Sequence, residues 1–347
     1  MPGPPTVTVP ASTVVATGAQ VTLTAVAVDP TGEAVTYAWE QLTGAPATVS
    51  GANTAALRVT APSVKVDLTF RVTATDASGE EATADAKLLV RRNSPATPLP
   101  LTAGRTFTYT VREQVYAWAG TPGPLNPTDP QPVGTATLTV ADGGDSNGIH
   151  LWDLALTEST TGAPASCTAG EPAEAACGSP NYACQANACV SNKVLSTTAR
   201  VVQVDDQLRL WVDEHTEPLL IVDPNRTLSG STPSVFDGYE LFTALTRVDP
   251  QLPSTPLKYL GSLAVTVPGT LPAGALAQPG TMAAAVEIFD GTRRPDVLTS
   301  YRATRAYYQA GTGLVLFQHE GVPESFLNAT EQSGYRDAVL TGISPPP

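Results

Sequence analysis

Residues that build common active sites are scarce in this chain. Only three histidines, His150, His215 and His319, occur among 347 residues, and none is spaced as an H-x-x-x-H ligand pair, so a metal centre would need distant segments to converge. No G-x-x-x-x-G-K-[ST] or G-x-G-x-x-G run is present, which removes the two commonest phosphate-cradling loops. No stretch of about 18 apolar residues exists to form a membrane-spanning helix. Basic residues are also few, 19 against 32 acidic, for a formal net charge of -13; this argues against nucleic acid or anionic lipid as the main partner. Plentiful instead are turn formers, Gly 28 and Pro 32, scattered without a triplet period, so neither collagen nor long helical assemblies fit. Hydrophobic residues at 42% suffice for a folded core.

The first 92 residues read as short strands between turns. Leu68, Phe70, Val72 and Ala74 alternate with Thr69, Arg71, Thr73 and Thr75, as Val35, Tyr37 and Trp39 do with Thr36, Ala38 and Glu40. A period of two gives a strand one buried and one wet face. Asp29-Pro-Thr-Gly32 and Asp76-Ala-Ser-Gly79 interrupt the pattern with turn chemistry. About seven strands in under 100 residues, one carrying a central Trp, predict an antiparallel sandwich of immunoglobulin type.

The run Val21-Thr-Leu-Thr-Ala-Val-Ala-Val-Asp-Pro-Thr-Gly-Glu-Ala-Val-Thr-Tyr-Ala-Trp-Glu-Gln41, followed by Leu68-Thr-Phe-Arg-Val-Thr-Ala-Thr-Asp-Ala-Ser-Gly79, resembles the PKD-like modules of bacterial surface proteins. The resemblance covers about a quarter of the chain. It implies an immunoglobulin-like spacer or adhesion domain in an extracellular setting, and it carries no catalytic residue to transfer. The W-D-F-G-D-G run of the common variant is absent, and Trp39-Glu-Gln41 is similar to the W-x-Q type.

Arg91-Arg-Asn-Ser-Pro-Ala-Thr-Pro-Leu-Pro100 is polar and studded with proline, as an extended linker would be. The expected organisation is therefore a sandwich over residues 1–92, a linker over 93–100 and a larger antiparallel β domain over 101–347. A chain ending near Arg92 is expected to fold alone with Trp39 buried. Phe107, Tyr109 and Val111, then Ala136, Leu138 and Val140, begin a long series of alternating segments. So many strands predict one large sheet, curved into an open barrel or a two-layer sandwich. A helix is an alternative at 281–288 or 323–330. Leu101-Thr-Ala-Gly-Arg-Thr-Phe-Thr-Tyr109 and Tyr307-Tyr-Gln-Ala-Gly-Thr-Gly-Leu-Val315 resemble the opening and closing motifs of uncharacterised secreted bacterial lipoproteins, with Phe107 where those have Trp. That resemblance implies a curved antiparallel sheet and no established activity.

Two insertions interrupt the strands, a proline-rich loop over 119–134 and a loop over 158–193 that holds Cys167, Cys177, Cys184 and Cys189. The cysteines are even in number, clustered, and separated by nine, six and four residues. This predicts two disulfides and an exported protein, with the three pairings open; the C-x2-C pairs of a zinc site are missing.

Other candidate chemistry is thin. Gly144-Asp-Ser-Asn-Gly148 spells a G-x-S-x-G nucleophile elbow. An elbow joins a strand to a helix, whereas this run lies between two strand patterns, where a hairpin is expected and Ser146 is not catalytic. Asp213-Glu-His215 with Glu217 is the densest acid and imidazole cluster; it could hold a cation or act as an acid/base pair, and the competing reading, which is preferred, is a solvated turn before Pro218. Calcium is the one candidate cofactor, at Asp29, Asp76 and Glu80, which offer hard oxygen ligands; the competing reading is that each Asp caps its own turn. Trp118, Trp152 and Trp211 could stack on sugars or line an apolar cleft.

The function expected is non-catalytic binding or adhesion at a bacterial surface, the sandwich acting as a spacer for the larger domain. Its partner would be a surface protein, a neutral glycan or an apolar ligand. The start Met1-Pro-Gly-Pro-Pro5 is expected to be the tether left beyond a removed signal and lipid anchor. A carrier of an acyl chain in the curved sheet, and a secreted hydrolase, are the alternatives from other classes.

Overall fold

The computed structural model describes residues 3–94, 99–116, 131–160, 182–185, 188–191, 196–223, 236–237, 258–266, 271, 273–276, 282–290, 301–309, 311–322 and 333–345. They contain strands and turns and no helix. The chain divides into two compact units, Met1–Pro95 with Gly143–Leu151 and Arg200–Leu219, and the remainder.

The first unit is built on nine strands: β1 Thr6–Thr8, β2 Ser12–Ala16, β3 Gln20–Thr24, β4 Val26–Val28, β5 Thr36–Thr43, β6 Thr48–Ser50, β7 Ala56–Thr60, β8 Val66–Thr75 and β9 Glu81–Arg91. One sheet has the order β2-β9-β8-β5, the facing one β3-β7-β6, and β1 pairs with β4. This is an immunoglobulin-like sandwich, with one parallel pair, β2 against β9. The predicted alternation holds: Leu68, Phe70, Val72 and Ala74 are buried. Trp39 lies in the core between the sheets with Leu23, Leu57, Phe70 and Leu88. Its indole Nε1 donates to the Thr54 carbonyl at 2.9 Å, which satisfies the ring's only polar atom.

The remaining strands are β10 Thr106–Tyr116, β11 Gln131–Ser146, β12 Ile149–Thr160, β13 Tyr182–Gln185, β14 Ala188–Ser191, β15 Ser196–Val204, β16 Gln207–Leu210, β17 Leu219–Val222, β18 Phe236–Asp237, β19 Lys258–Thr266, β20 Met282–Asp290, β21 Tyr301–Gln309, β22 Gly313–Val322 and β23 Ser333–Ser344. Twelve of them form one sheet, in the order β17-β16-β15-β12-β11-β10-β23-β22-β21-β20-β19-β18. From β10 the strands step outward to β17 at one edge; β18 starts again at the other edge, and the strands step back inward until β23 lies beside β10. Two meanders are thus joined along the β10–β23 pair. The sheet is curled and antiparallel. Residues 282–288 are not helical: β20 pairs with β19 on one side and with β21 on the other, while 323–330 lie outside the described residues. Paired main-chain groups on both edges override the helix-compatible pattern of Met282-Ala-Ala-Ala-Val286.

Insertion boundaries shift as well. Gln131–Gly134, assigned from sequence to the proline-rich loop, belong to β11, and residues 119–130 lie outside those described. The cysteine-bearing segment holds the hairpin β13–β14. The two lipoprotein-like motifs meet in space. Gly313, at φ +103°, sits where an added Cβ would come within 2.9 Å of Leu99 and 3.5 Å of Phe107. Its backbone conformation and its neighbours both require glycine.

Candidate functional site

Asp29 and Asp76 occupy the same five-residue pattern, Asp29-Pro-Thr-Gly-Glu33 and Asp76-Ala-Ser-Gly-Glu80. In the first, Asp29 Oδ1 accepts from the Thr31 amide at 2.9 Å, the Thr31 hydroxyl at 2.6 Å and the Glu33 amide at 2.9 Å. In the second, Asp76 Oδ1 accepts from the Ser78 hydroxyl and the Glu80 amide, both at 2.8 Å. Each carboxylate thus caps its own turn. Among the described residues no group of three or more His, Cys, Asp or Glu could hold a metal ion. Glu80 contributes its main-chain N–H to the turn, and its side chain is exposed.

Hydrogen bonds from the Thr31 hydroxyl first, and then the Glu33 amide, hold the Asp29 carboxyl below its ordinary range. A depressed folded-state value stabilises the fold above the unfolded carboxyl's range, and that contribution is lost as pH falls through the folded value. Asp29→Asn should therefore lower the melting temperature at neutral pH, with the gap from wild type narrowing as the solution is acidified. A gap that stays constant across the acid range would show that the ionised cap contributes nothing.

The densest polar constellation lies at the end of β9. Arg91 is buried, its side chain 5% exposed. Its guanidinium donates to Asp67 at 2.6 Å and Glu217 at 3.0 Å, and Asp205 lies 3.9 Å away. Asp205 is also reached by Lys65 at 3.1 Å. Although burial alone would favour the neutral form, the hydrogen bonds to Asp67 and Glu217 leave the Arg91 guanidinium more firmly protonated than usual. Three acidic side chains from separate segments thus surround one buried cation; the cluster is a clamp.

Asp205-Asp206 forms the two-residue turn between β15 and β16, with both φ angles positive at 54° and 64°. These are the angles of a type I′ hairpin turn, which side chains other than glycine adopt at a cost. Contacts to the segment after β9 offset that cost. Asp205 Oδ1 accepts from the Arg92 amide at 3.1 Å, and Asp206 from Arg92 Nη2 at 2.6 Å and the Ser94 hydroxyl at 2.7 Å. Asn93 bridges to Val204 and donates to the Gly148 carbonyl at 2.8 Å. Residues 91–94, which end the sandwich and begin the expected 93–100 linker, each make such a contact.

Asn147-Gly148 makes the second positive-φ hairpin turn, between β11 and β12. Ser146 therefore ends a strand before a hairpin and is on no nucleophile elbow. An added Cβ on Gly148 would lie 2.8 Å from the Ala19 Cβ, so this turn approaches the sandwich as closely as glycine permits. The free edge of β2 is covered on this side: Ala16 N donates to the Asn147 carbonyl at 3.0 Å and Val14 N to the Glu214 carbonyl at 2.7 Å. Covering an edge removes a template for unwanted strand pairing.

The acid and imidazole cluster is part of the same cover. Asp213 Oδ1 accepts from the His215 amide at 2.8 Å, and a hydrogen bond from Thr216 keeps the Asp213 carboxyl below its usual range. The Ser12 hydroxyl donates to the His215 carbonyl, and His215 Nδ1 lies 3.1 Å from the Ser12 carbonyl. His150 Nδ1 lies 3.3 Å from Asp145. His319 occupies β22, between Thr304 and Arg336 in register.

Trp211 is 7% exposed and packs in a second core with Val14, Ala16, Leu89, Ile149, Leu151, Val202 and Val204. It fills an interior and presents no open ring face, which corrects its reading as a ligand-stacking residue. Trp152 is half-buried on β12, and Trp118 lies outside the described residues. Cys184 and Cys189 stand opposite each other in the β13–β14 hairpin, while Cys167 and Cys177 lie outside the described residues. Sequence reasoning missed Arg91, Asp205 and Asp206; the adjacent pair Asp205-Asp206 between two apolar runs was the available signal.

Residues 10–90 match a family of PKD domains. The sandwich is thus a PKD-type domain. Three solved structures are similar to parts of the chain. A nucleoside hydrolase-related hypothetical protein from Saccharophagus degradans, associated with carbohydrate metabolism, is 20% identical over 26% of this chain and 26% of its own, with a TM-score of 0.24. A putative lipoprotein from Parabacteroides distasonis is 10% identical over 72% of this chain and 99% of its own, at 0.32. The N-terminal Ig1-2 module of the Drosophila receptor protein tyrosine phosphatase DLAR is 11% identical over 60% and 94%, at 0.21. The chain thus spans about a quarter of the Saccharophagus protein's length. At these scores none of the three carries weight for the function of this chain. No curated protein matches it.

Proposed function

We propose that this chain is a non-catalytic binding protein of a bacterial outer surface, whose PKD-type domain serves as a base and whose larger unit carries the binding surface. The observation that supports it is how the first unit spends its chemistry. Asp29 and Asp76 cap turns, Trp39 and Trp211 fill cores, and Arg91 is consumed by three acids. A module with its polar and aromatic residues engaged internally suits a spacer. PKD-type domains also favour an extracellular setting.

Charge narrows the partner. Residues 1–93 carry 8 acidic and 6 basic side chains, leaving 24 and 13 beyond, so -11 of the -13 falls on the rest of the chain. A basic protein face, a neutral glycan or an apolar ligand fits such a surface, and a polyanion does not. The cysteine-bearing segment, residues 158–193, is the longest insertion available to carry specificity.

Deleting residues 165–190 should abolish binding of the purified chain to intact bacterial envelopes and to immobilised neutral glycans, while circular dichroism stays close to wild type. Undiminished binding by this deletion, together with loss of binding when the outward face of β5, β8 and β9 is substituted, would make the sandwich the adhesin and reverse the two roles.

A further inference from the structure

We infer that Cys184 and Cys189 form a disulfide across the β13–β14 hairpin, leaving Cys167 and Cys177 as the second pair. The register of this hairpin is Tyr182 with Ser191, Ala183 with Val190, Cys184 with Cys189 and Gln185 with Ala188. Two residues, Ala186 and Asn187, separate the strands. In an antiparallel ladder, opposite residues alternate between pairs that exchange both main-chain hydrogen bonds and pairs that exchange none. The pair closing a two-residue connection, Gln185 with Ala188, is of the first kind. Cys184 with Cys189 is therefore of the second, in which Cα atoms stand about 4.5 Å apart. That separation falls within the window of about 4.4–6.8 Å that a disulfide spans without backbone movement.

The sequence admits three pairings of the four cysteines. Either alternative would require both of these directly opposed cysteines to pass over each other and pair with residues more distant in the sequence. Closing a short ring already ordered by strand pairing costs the chain the least additional entropy. Formation breaks two S–H bonds and makes one S–S bond. Two protons and two electrons pass to a small-molecule or protein disulfide, which is cleaved to two thiols. The inference rests on the extracellular reading only for the presence of that oxidant.

Cleavage after Glu174 and Tyr182 separates Cys167, Cys177 and the Cys184/Cys189 segment onto different peptides. The full chain, secreted, alkylated without reduction and digested after Glu and Tyr, should yield the segment beginning at Ala183 as a single peptide, lighter by two hydrogens than its reduced form. The Cys167 and Cys177 peptides should appear joined. A peptide from Ala183 joined to either of the other two would overturn the pairing. So would a zinc ion retained in native mass spectrometry with all four thiols alkylatable after its removal. Thiols free on isolation that then form the Cys184–Cys189 pair under oxidised glutathione would uphold the pairing and sink the extracellular reading; thiols still free after that treatment would overturn the pairing itself.

Discussion

Arg112→Met should destabilise the larger unit by about 3–5 kcal/mol, the usual penalty for removing one member of a buried ion pair. Arg112 on β10 stands directly opposite Asp337 on β23, and its Nε and Nη2 donate to the two carboxylate oxygens at 2.8 and 2.5 Å. The Asp337 side chain is fully buried and that of Arg112 is 11% exposed. Methionine keeps the stem's packing and removes the charge, so the carboxylate loses its fork of donors in a low-dielectric site. The double variant Arg112→Met with Asp337→Leu should recover most of the loss, because no uncompensated charge remains. Urea denaturation followed by tryptophan fluorescence measures both. Arg71 and Asp85 supply the control: they make an equally forked pair at 2.7 and 2.9 Å, but both are open to water, and Arg71→Met should leave the midpoint near wild type. Equal effects at the two sites would mean that burial does not govern the strength of the Arg112 pair.

Strand periodicity made most of this fold readable before any coordinates. The alternation around Trp39 and along Leu68 to Ala74 gave the correct buried face, because a period-two pattern of apolar residues leaves only one register that hides them. The turns at Asp29 and Asp76 were readable for the same local reason, since an Asp two to four residues before free N–H groups caps them whatever surrounds it. The β13–β14 hairpin was missed because it is short and lies in a stretch of Ala, Asn and Cys without alternation. Harder to see was the second apolar surface of the sandwich. Val14, Ala16 and Leu89 lie on β2 and β9, but the groups that cover them come from residues 149–151, 202–204 and 211. Nothing local in a sequence announces a partner more than a hundred residues away. The same holds for Arg91, two of whose three acidic partners, Asp205 and Glu217, come from that far along the chain. A boundary drawn from the proline-rich composition after Arg92 passes through this shared core. A chain ending there would lack the residues that cover Val14 and Leu89 and would leave Arg91 without Glu217, so measuring its stability tests the expectation that it folds alone.

Trp211→Ala should accordingly destabilise the PKD-type domain, although Trp211 lies about 120 residues beyond its family match. Truncating a buried aromatic costs about 3–5 kcal/mol through lost transfer energy and the cavity left behind. Trp211 meets Val14, Ala16 and Leu89 of the sandwich together with Ile149, Leu151, Val202 and Val204, so the cavity opens on both contributors at once. Main-chain bonds across the same surface would loosen with it, namely Val14 to Glu214 at 2.7 Å, Ala16 to Asn147 at 3.0 Å and Asp205 to Arg92 at 2.8 Å. Native-state hydrogen exchange on the full chain should show amides of β2, the Asn147 turn and the Asp205 turn losing protection together, as one cooperative unit does. Trp39→Ala, in the core between the two sheets, should cost a similar amount. Loss of protection confined to residues 200–219, with β2 and β9 unchanged, would mean that the sandwich is stable without its cover and that the hairpins only rest upon it.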